Sequence, residues 1–388
     1  MKAFPSLLLC GALLTLAGCA SVETVSYAPL TGDPVTDGQT MISRAPARDR
    51  MLWQYRTAAI AMRRGRFAEA KALLDDALIT LNGIYGKAVD AQKARSYFNE
   101  ESKKKFIGEP FERVMAYYYR GILYWMDGEP DNARACFRSA QLADSDAEDK
   151  TYASDYAVLD YLDGLASFKL HADGSDAFKR AVELSKTDSP PAYDEHANVL
   201  FFIECGNGPT KYAMGEYGDQ LRFRAGNSGA HSAVVRVGGQ ALRARAYDDL
   251  YFQATTRGGR VMDHVLAGKA VFKDATDNIG TVALISGAVL ATNRRTQNVG
   301  IGLALAGLVG KVVSAATTPA ADTRSWDNLP QYLCFTTAQL PVGQHAVTVE
   351  FQSASGAAMP SLTKSFTVNV TTTERDTVVF LSDKSKLN

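Results

Sequence analysis

The sequence has no excess of charge of either sign. Lys and Arg together number 42, and Asp and Glu together also number 42. Proteins that bind nucleic acid ordinarily carry a surplus of basic residues that neutralise phosphates. The balanced charge therefore argues against nucleic acid as a partner of this chain.

Cysteine is also scarce, with five residues in a chain of 388. Cys10 and Cys19 belong to the hydrophobic N-terminal region, which leaves Cys136, Cys205 and Cys334. A disulfide-framed domain needs an even number of closely spaced cysteines, so this odd and scattered set excludes a disulfide framework. A single Cys205–Cys334 bridge and three buried free thiols both remain open, because cysteine packs well as a small apolar residue.

Motifs for catalysis and metal binding are missing as well. The sequence contains no GxxxxGK[ST], HExxH, GxSxG or CxxC pattern. Its five histidines are isolated along the chain, and none has the spacing of metal ligands. A glycan-cleaving enzyme would need a pair of carboxylates, and no such pairing is evident. We therefore predict a non-enzymatic protein without a metal or a cofactor.

The most specific pattern that is present lies at the N-terminus. Lys2 precedes an apolar stretch from Ala3 to Leu16, which ends in Ala17-Gly18-Cys19. This layout is typical of a secretory signal, and the stretch is too short for a membrane-spanning helix. The Gly18–Cys19 junction favours a bacterial lipobox over a plain signal peptide with an incidental cysteine. We predict that residues 1–18 are removed and that Cys19 is acylated, which would anchor the protein to a membrane outside the cytoplasm.

Residues 19–47 follow the predicted cleavage site. Ser, Thr, Pro, Gly and Asp dominate this segment, and it shows no hydrophobic period. We predict a flexible tether with a reach of roughly 30 Å. Ala20 follows the acylated cysteine, where an Asp would indicate retention in the inner membrane. The expected location is therefore the periplasmic face of the outer membrane.

Residues 48–189 have a helical apolar pattern in which one set of spacings occurs twice. The two sets are Ala58, Ala61, Gly65, Phe67, Ala70, Leu74 and Ala77, and Gly121, Tyr124, Gly128, Pro130, Ala133, Phe137 and Ala140. This spacing is typical of tetratricopeptide helix pairs, in which small residues let two helices approach and a glycine ends the first helix. A third, less regular pair is predicted over residues 156–184.

Arrays of such helix pairs bind peptides or partner segments on their concave face. Aromatic residues are dense in the second pair, and some of them must be core. As candidates for binding a partner protein we select Tyr118, Arg120 and Asn132.

Ser189-Pro190-Pro191 ends the helical pattern, because proline disfavours helix at its own position and before it. Residues 196–388 then favour strands at 199–203, 233–237, 332–337, 345–352, 365–370 and 377–381. We predict a β-rich, sandwich-like domain and hence an α+β chain. A helical insert is predicted within this domain, at about 244–318.

The insert contains an apolar helical hairpin over residues 279–316. Its second run, Val299 to Ala316, has 18 residues, which is near the lower limit for a membrane span. Lys311 and the many small residues disfavour a span. We expect the hairpin to pack within the domain. Formation of a homo-oligomer, or of a membrane-associated pore or secretion assembly, stays open as the alternative.

Four short stretches together resemble one protein family. They are Phe106-Ile107-Gly108-Glu109-Pro110-Phe111-Glu112-Arg113-Val114-Met115, Asp131-Asn132-Ala133-Arg134, Ala321-Asp322-Thr323-Arg324-Ser325-Trp326 followed by Leu329-Pro330, and Leu340-Pro341-Val342-Gly343. The family is that of tetratricopeptide-containing lipoproteins of Gram-negative bacteria, some of which are encoded near a lipoprotein activator of penicillin-binding proteins. The resemblance implies an envelope location and this architecture, and it names cell-wall synthesis machinery as the partner class. It implies no reaction.

The most specific of these stretches contains Asp322, Arg324 and Trp326. We interpret it as structural: an Arg–Asp pair and a buried tryptophan that lock the insert onto the sheet, with a ligand site as the alternative. Taken together, the sequence predicts a lipid-anchored scaffold that binds other envelope proteins.

Overall fold

The computed structural model describes residues 30–85, 105–146, 151–186, 189–215, 220–227, 229–256 and 321–386. The predicted signal peptide, Cys19, the first part of the predicted tether and the 279–316 hairpin lie outside these residues. The described chain combines helices and strands, as the α+β prediction requires.

The helices come first along the chain and pack largely as sequential pairs. They are α1 (Pro34–Arg44), α2 (Arg50–Arg63), α3 (Phe67–Tyr85), α4 (Pro110–Met126), α5 (Pro130–Asp144), α6 (Ala157–Lys169) and α7 (Ser175–Leu184). The closest pairs are α2 with α3, α4 with α5, and α6 with α7, and α1 packs on α2. The predicted helical region is thus built from helix hairpins.

Glycines hold two equivalent positions at the ends of α2 and α4. Gly65 has a φ angle of +68° and Gly128 a φ angle of +77°, a left-handed conformation that glycine adopts without strain. Gly121 serves a different purpose, because a Cβ atom there would lie 2.5 Å from the ring of Phe137. Its missing side chain lets α4 and α5 approach closely, as the repeated spacing predicts.

The predicted flexible tether is corrected where the structure describes it, because residues 34–44 form helix α1. The Asp33 carboxylate accepts hydrogen bonds from the amides of Val35 and Thr36, and Pro34 occupies the first turn. Val35 is fully buried. It is the single buried residue of this helix, and the Asp33-Pro34 start is the sequence signal from which α1 could have been predicted.

The strands form one large sheet and a separate hairpin. They are β1 (Val199–Cys205), β2 (Thr210–Met214), β3 (Gln220–Arg224), β4 (Ser232–Val237), β5 (Gln240–Asp249), β6 (Tyr332–Ala338), β7 (Gly343–Gln352), β8 (Lys364–Val370) and β9 (Thr377–Ser382), with α8 (Leu250–Thr255) after β5 and a short 3-10 turn at Pro360–Leu362. The strand predictions are confirmed. The seven-stranded sheet has the order β8-β7-β4-β5-β6-β1-β9, and β2 pairs with β3 alone.

The large sheet curls until its two edge strands, β8 and β9, contact each other. All its neighbouring strands are antiparallel except β1 and β9. A sandwich of two sheets is therefore not confirmed; one nearly closed sheet surrounds an apolar core instead.

Strand β1 is buried on both faces, which explains its continuous apolar sequence. Phe201 and Ile203 belong to the core inside the curled sheet. Leu200 and Phe202 point the other way, into a second core that the sheet shares with the helices. This shared core joins the helical layer and the sheet.

The predicted start of the helical insert is wrong, because residues 244–249 belong to strand β5. Gly238 and Gly239 both have positive φ angles in the turn between β4 and β5, and Ala244 pairs with Ala233. Alanine favours helices in isolation, but its sheet neighbours decide here. The helix that follows, α8, begins at Leu250. The rest of the predicted insert, beyond Thr256, lies outside the described residues until Ala321.

Candidate functional site

One face of the helical layer is covered by the sheet. Helices α2, α4 and α6 contact sheet strands, and α3, α5 and α7 form an outer row. Tyr119 of α4 packs on Phe380 of β9, and Tyr161 of α6 packs on Phe335 of β6. The face formed by the first helix of each pair therefore packs against the sheet inside the protein. We call this interface between helices α2, α4 and α6 and the sheet the seam.

Two of the three residues that were predicted to bind a partner are buried by this packing. Tyr118 is 1% exposed, and its ring lies 6.3 Å from that of Phe202 in β1, centroid to centroid. Arg120 is 3% exposed, and its Nε donates to Asp75 of α3 at 2.6 Å. Neither side chain is available to a partner, and their assignment as binding residues is corrected.

Asn132 is the third of these residues. It lies exposed on α5, in the outer row, and its Nδ2 donates to Glu129 at 2.7 Å. It therefore remains accessible to a partner.

A buried ion pair crosses the seam near its centre. Arg63 of α2 donates from Nε to Glu204 of β1 at 3.0 Å, and the hydroxyl of Tyr119 donates to the other oxygen of Glu204. Burial raises the pKa of Tyr119 well above its usual value, and the negative charge of Glu204 is the second cause of this increase. Both partners of the pair are almost completely buried, so each compensates a charge that would otherwise be unpaired.

A second buried ion pair joins three parts of the chain. Lys211 of β2 donates to Oε2 of Glu112 in α4 at 2.6 Å, and both side chains are buried. The other oxygen of Glu112 accepts the backbone amide of Trp326 at 2.6 Å. Lys211 also donates to the backbone carbonyl of Arg324 at 2.9 Å. This pair holds the segment 321–330 against the helices and the β2–β3 hairpin.

The structure contains the Arg–Asp pair and the buried tryptophan of the Asp322-Arg324-Trp326 stretch. Arg324 donates to both carboxylate oxygens of Asp322, at 2.9 and 2.6 Å, and from Nη1 to Asp49 at 2.6 Å. Trp326 is fully buried and stacks on Tyr55 of α2 with 4.5 Å between ring centroids. This stretch therefore packs on helix α2, and not on the sheet as we predicted.

A cleft of about 430 Å³ lies beside Arg324, between the helical layer and the β-rich part. Its lining residues come from three stretches that are distant in sequence: Asp49, Leu52, Trp53 and Arg56, then Thr210 and Lys211, then Thr323, Arg324, Ser325 and Asp327. We refer to these residues as the seam cleft. Its walls exist only when the helices and the sheet are packed together.

The charges of the seam cleft are paired within the protein. Arg56 donates from Nη2 to Asp327 at 2.9 Å and to the carbonyl of Ser325 at 2.8 Å. Lys211 and Arg324 have the carboxylate partners described above. Every cationic side chain that lines the described cleft therefore has an acidic partner, and the cleft presents polar groups without a strong field of one sign.

The seam cleft and the two buried ion pairs were not predicted from the sequence. The one available signal was Glu204, an acidic residue inside the apolar run Val-Leu-Phe-Phe-Ile-Glu-Cys. A carboxylate in a buried strand needs a cationic partner. Its partner Arg63 lies 141 residues away, so only the fold identifies it.

Cys205 and Cys334 lie on the neighbouring strands β1 and β6. Their Sγ atoms are 3.8 Å apart, both residues are buried, and both are free thiols in this structure. The register places Cys334 opposite Ile203 and Cys205 opposite Tyr332, so the two cysteines are diagonal neighbours. Diagonal neighbours are farther apart than directly opposite residues, which disfavours a bridge.

No group of three or more His, Cys, Asp and Glu side chains among the described residues could hold a metal ion. Within the same residues, no helix combines the length and the apolar character needed to cross a membrane.

Comparison of the chain with protein-family models, with curated proteins and with solved structures finds no match. The family resemblance of the four short stretches stays a prediction.

Proposed function

We propose that the protein is a lipid-anchored, non-enzymatic scaffold on the periplasmic face of the outer membrane. In this proposal Cys19 carries the lipid, the helix pairs are tetratricopeptide-like repeats that bind another envelope protein, and the sheet supports them. The family resemblance makes cell-wall synthesis machinery the first partner class to examine.

Two exposed apolar side chains at equivalent positions support this proposal most directly. Ile79 on α3 is 72% exposed, and Leu142 on α5 is 74% exposed. Each lies twelve residues after the first residue of its helix, since α3 begins at Phe67 and α5 at Pro130. Single exposed apolar residues are common, but their recurrence in successive helix pairs is what a partner lying across the pairs would use.

The outer row is also the face that the fold leaves accessible. The sheet covers the first helix of each pair, so a partner cannot use the face that contains Tyr118. Asn132 shares helix α5 with Leu142 and is exposed. We therefore place the partner surface on Ile79, Asn132 and Leu142. Burying a large aliphatic side chain there would contribute about 1.5–3 kcal/mol.

The test is crosslinking of the full-length protein in cells, followed by identification of the proteins that co-purify. We expect Ile79→Asp combined with Leu142→Asp to reduce recovery of the partner at least tenfold. The matched control is Val342→Asp, because Val342 is 61% exposed but lies between β6 and β7, away from the outer row.

Equal recovery from the double variant and the control would place the partner surface elsewhere. Recovery of no partner above background, together with normal envelope behaviour after deletion of the gene, would overturn the scaffold proposal. Detergent-dependent ring oligomers that disappear when 279–316 is deleted would favour the pore or secretion assembly.

A further inference from the structure

The seam cleft has the dimensions of a small-molecule site. Its volume of about 430 Å³ lies within the range of pockets that enclose small ligands. Ion pairs and the Trp326–Tyr55 stack fix its walls, so its shape is set before a ligand arrives. A fixed polar cleft reduces the entropy lost when a ligand binds.

We propose that the seam cleft binds an uncharged, hydroxyl-rich ligand, namely a carbohydrate. The pairing of charges argues for an uncharged ligand. Arg56, Lys211 and Arg324 each have a carboxylate partner within 3 Å. An anionic ligand would have to displace one of these carboxylates and leave its charge uncompensated, which is costly in a partly buried site. A neutral ligand leaves every pair in place.

The walls offer hydrogen-bond donors and acceptors side by side. Asp327 uses one carboxylate oxygen for Arg56 and is otherwise exposed, and Thr210 and Thr323 present exposed hydroxyl groups. Sugar hydroxyls both donate and accept, so neighbouring hydroxyls of one ring can satisfy such a mixed wall.

Trp53 supplies apolar surface for a sugar ring beside the guanidinium of Arg56, which lies over the same indole, 5.1 Å from its centroid. A pyranose has a face of C–H groups and a rim of hydroxyls, and it packs that face against an aromatic ring. The indole of Trp53 is half-buried in the cleft wall. The other two tryptophans of the chain, Trp125 and Trp326, are buried in the core. Trp53 is thus the one tryptophan that a ligand in the cleft can reach.

This arrangement makes intrinsic tryptophan fluorescence a direct test. The full-length protein is purified in an amine-oxide detergent, whose headgroup carries no sugar, and titrated with chitotriose, maltotriose, dialanine and inorganic phosphate. We expect at least one oligosaccharide to change the emission saturably, whereas dialanine and phosphate do not. Trp53→Phe should abolish the change, and calorimetry then measures any binding that remains in this variant.

Two substitutions test whether the polar residues of the cleft wall contact the ligand. Thr323→Ala removes one hydroxyl, and Asp327→Asn replaces a charged acceptor with a neutral one. We expect each to weaken oligosaccharide binding by about tenfold. Val342→Asp, in the exposed turn between β6 and β7, should leave the affinity unchanged. Near-ultraviolet circular dichroism that matches the wild type shows that each variant is folded.

A final experiment identifies the source of the carbohydrate. Co-sedimentation with purified cell-wall sacculi, in parallel with the soluble oligosaccharides, distinguishes a polymer from a free sugar. Lack of binding to both oligosaccharides and to sacculi would overturn the proposal. Tighter binding of dialanine or phosphate, or affinities that Thr323→Ala and Asp327→Asn leave unchanged, would overturn it as well. The outcome is independent of the partner test, which uses the opposite face of the helices.

Discussion

The inner and outer faces of the helical layer are built from the same helix pairs but differ in burial and in the residues that they carry. The inner face carries fully buried aromatics and ion pairs such as Arg63–Glu204, and it is closed by the sheet. The outer row carries exposed polar residues together with Ile79 and Leu142. Aromatic density in a repeat therefore indicates binding only when nothing else in the chain covers that face.

The largest expected effect comes from breaking the seam at its buried ion pair. Arg63→Ala leaves the Glu204 carboxylate buried without a cation, and we expect the free energy of unfolding to fall by about 3–5 kcal/mol. Urea denaturation followed by circular dichroism measures it. Arg236→Ala is the control, because Arg236 forms an exposed pair with Glu350 and its loss should change stability little. An equal loss of unfolding free energy in the two variants would contradict the claim that the buried pair stabilises the protein more than an exposed pair does.

Removing an inner aromatic should have an effect of similar size. Tyr118→Ala opens a cavity between α4, α5 and β1, and we expect a loss of about 3–5 kcal/mol in the free energy of unfolding. Tyr118→Phe should retain most of the stability, because the ring supplies the packing. Thermal unfolding of both variants checks this, and a stable Tyr118→Ala protein with impaired partner binding would restore Tyr118 as a binding residue.

The stability of the protein should also depend on pH through Asp248. This buried residue of β5 accepts hydrogen bonds from the amides of Ala157 and Val158 at the start of α6, and burial raises its pKa to about 7. Because this folded-state pKa lies above the unfolded value near 4, the folded protein holds the proton more tightly. Its stabilising contribution is complete below about pH 4 and is lost as pH rises through about 7.

Asp248→Asn removes this titration. We expect the stability of the variant, relative to the wild type, to improve as pH rises from 4 to 7, by at most about 1.4 kcal/mol per pH unit. Denaturation curves of both proteins at several pH values measure the difference. A difference that does not depend on pH would show that Asp248 stays ionised in the folded protein. Lys186 and Asp155 contribute opposite effects to the pKa of Asp248, so both should be kept unchanged in these measurements.

The smallest effect on stability is expected in the outer row. Ile79→Ala and Leu142→Ala should each change the free energy of unfolding by no more than about 0.5 kcal/mol, because both side chains are exposed. Partner recovery by crosslinking should nevertheless decrease. A large loss of stability would mean that these side chains are covered within the protein itself.

Local patterns could be predicted from the sequence because their physical cause is local. Helix pairs follow from apolar residues three and four apart, and Gly65 and Gly128 mark the left-handed turns that follow two of the helices. The sequence did not predict helix α1 because Pro, Gly, Thr and Asp, which are typical of loops, dominate its segment. It assigned β5 to a helix because alanine-rich strands resemble helices in composition. Asp322 and Arg324 are two residues apart, so their pairing was also visible in the sequence.

The contacts that make the candidate site depend on the tertiary structure. Glu112 and Lys211 are 99 residues apart, and Arg56 and Asp327 are 271 apart. No periodicity links residues at such distances; the packing of the helices on the sheet brings them together. By itself the sequence determined the α+β class, the helix pairs and most strands, since each depends on neighbouring residues. Only the tertiary structure decided that Tyr118 is core and that Ile79 and Leu142 are exposed, because the sheet is what buries one face of the helices.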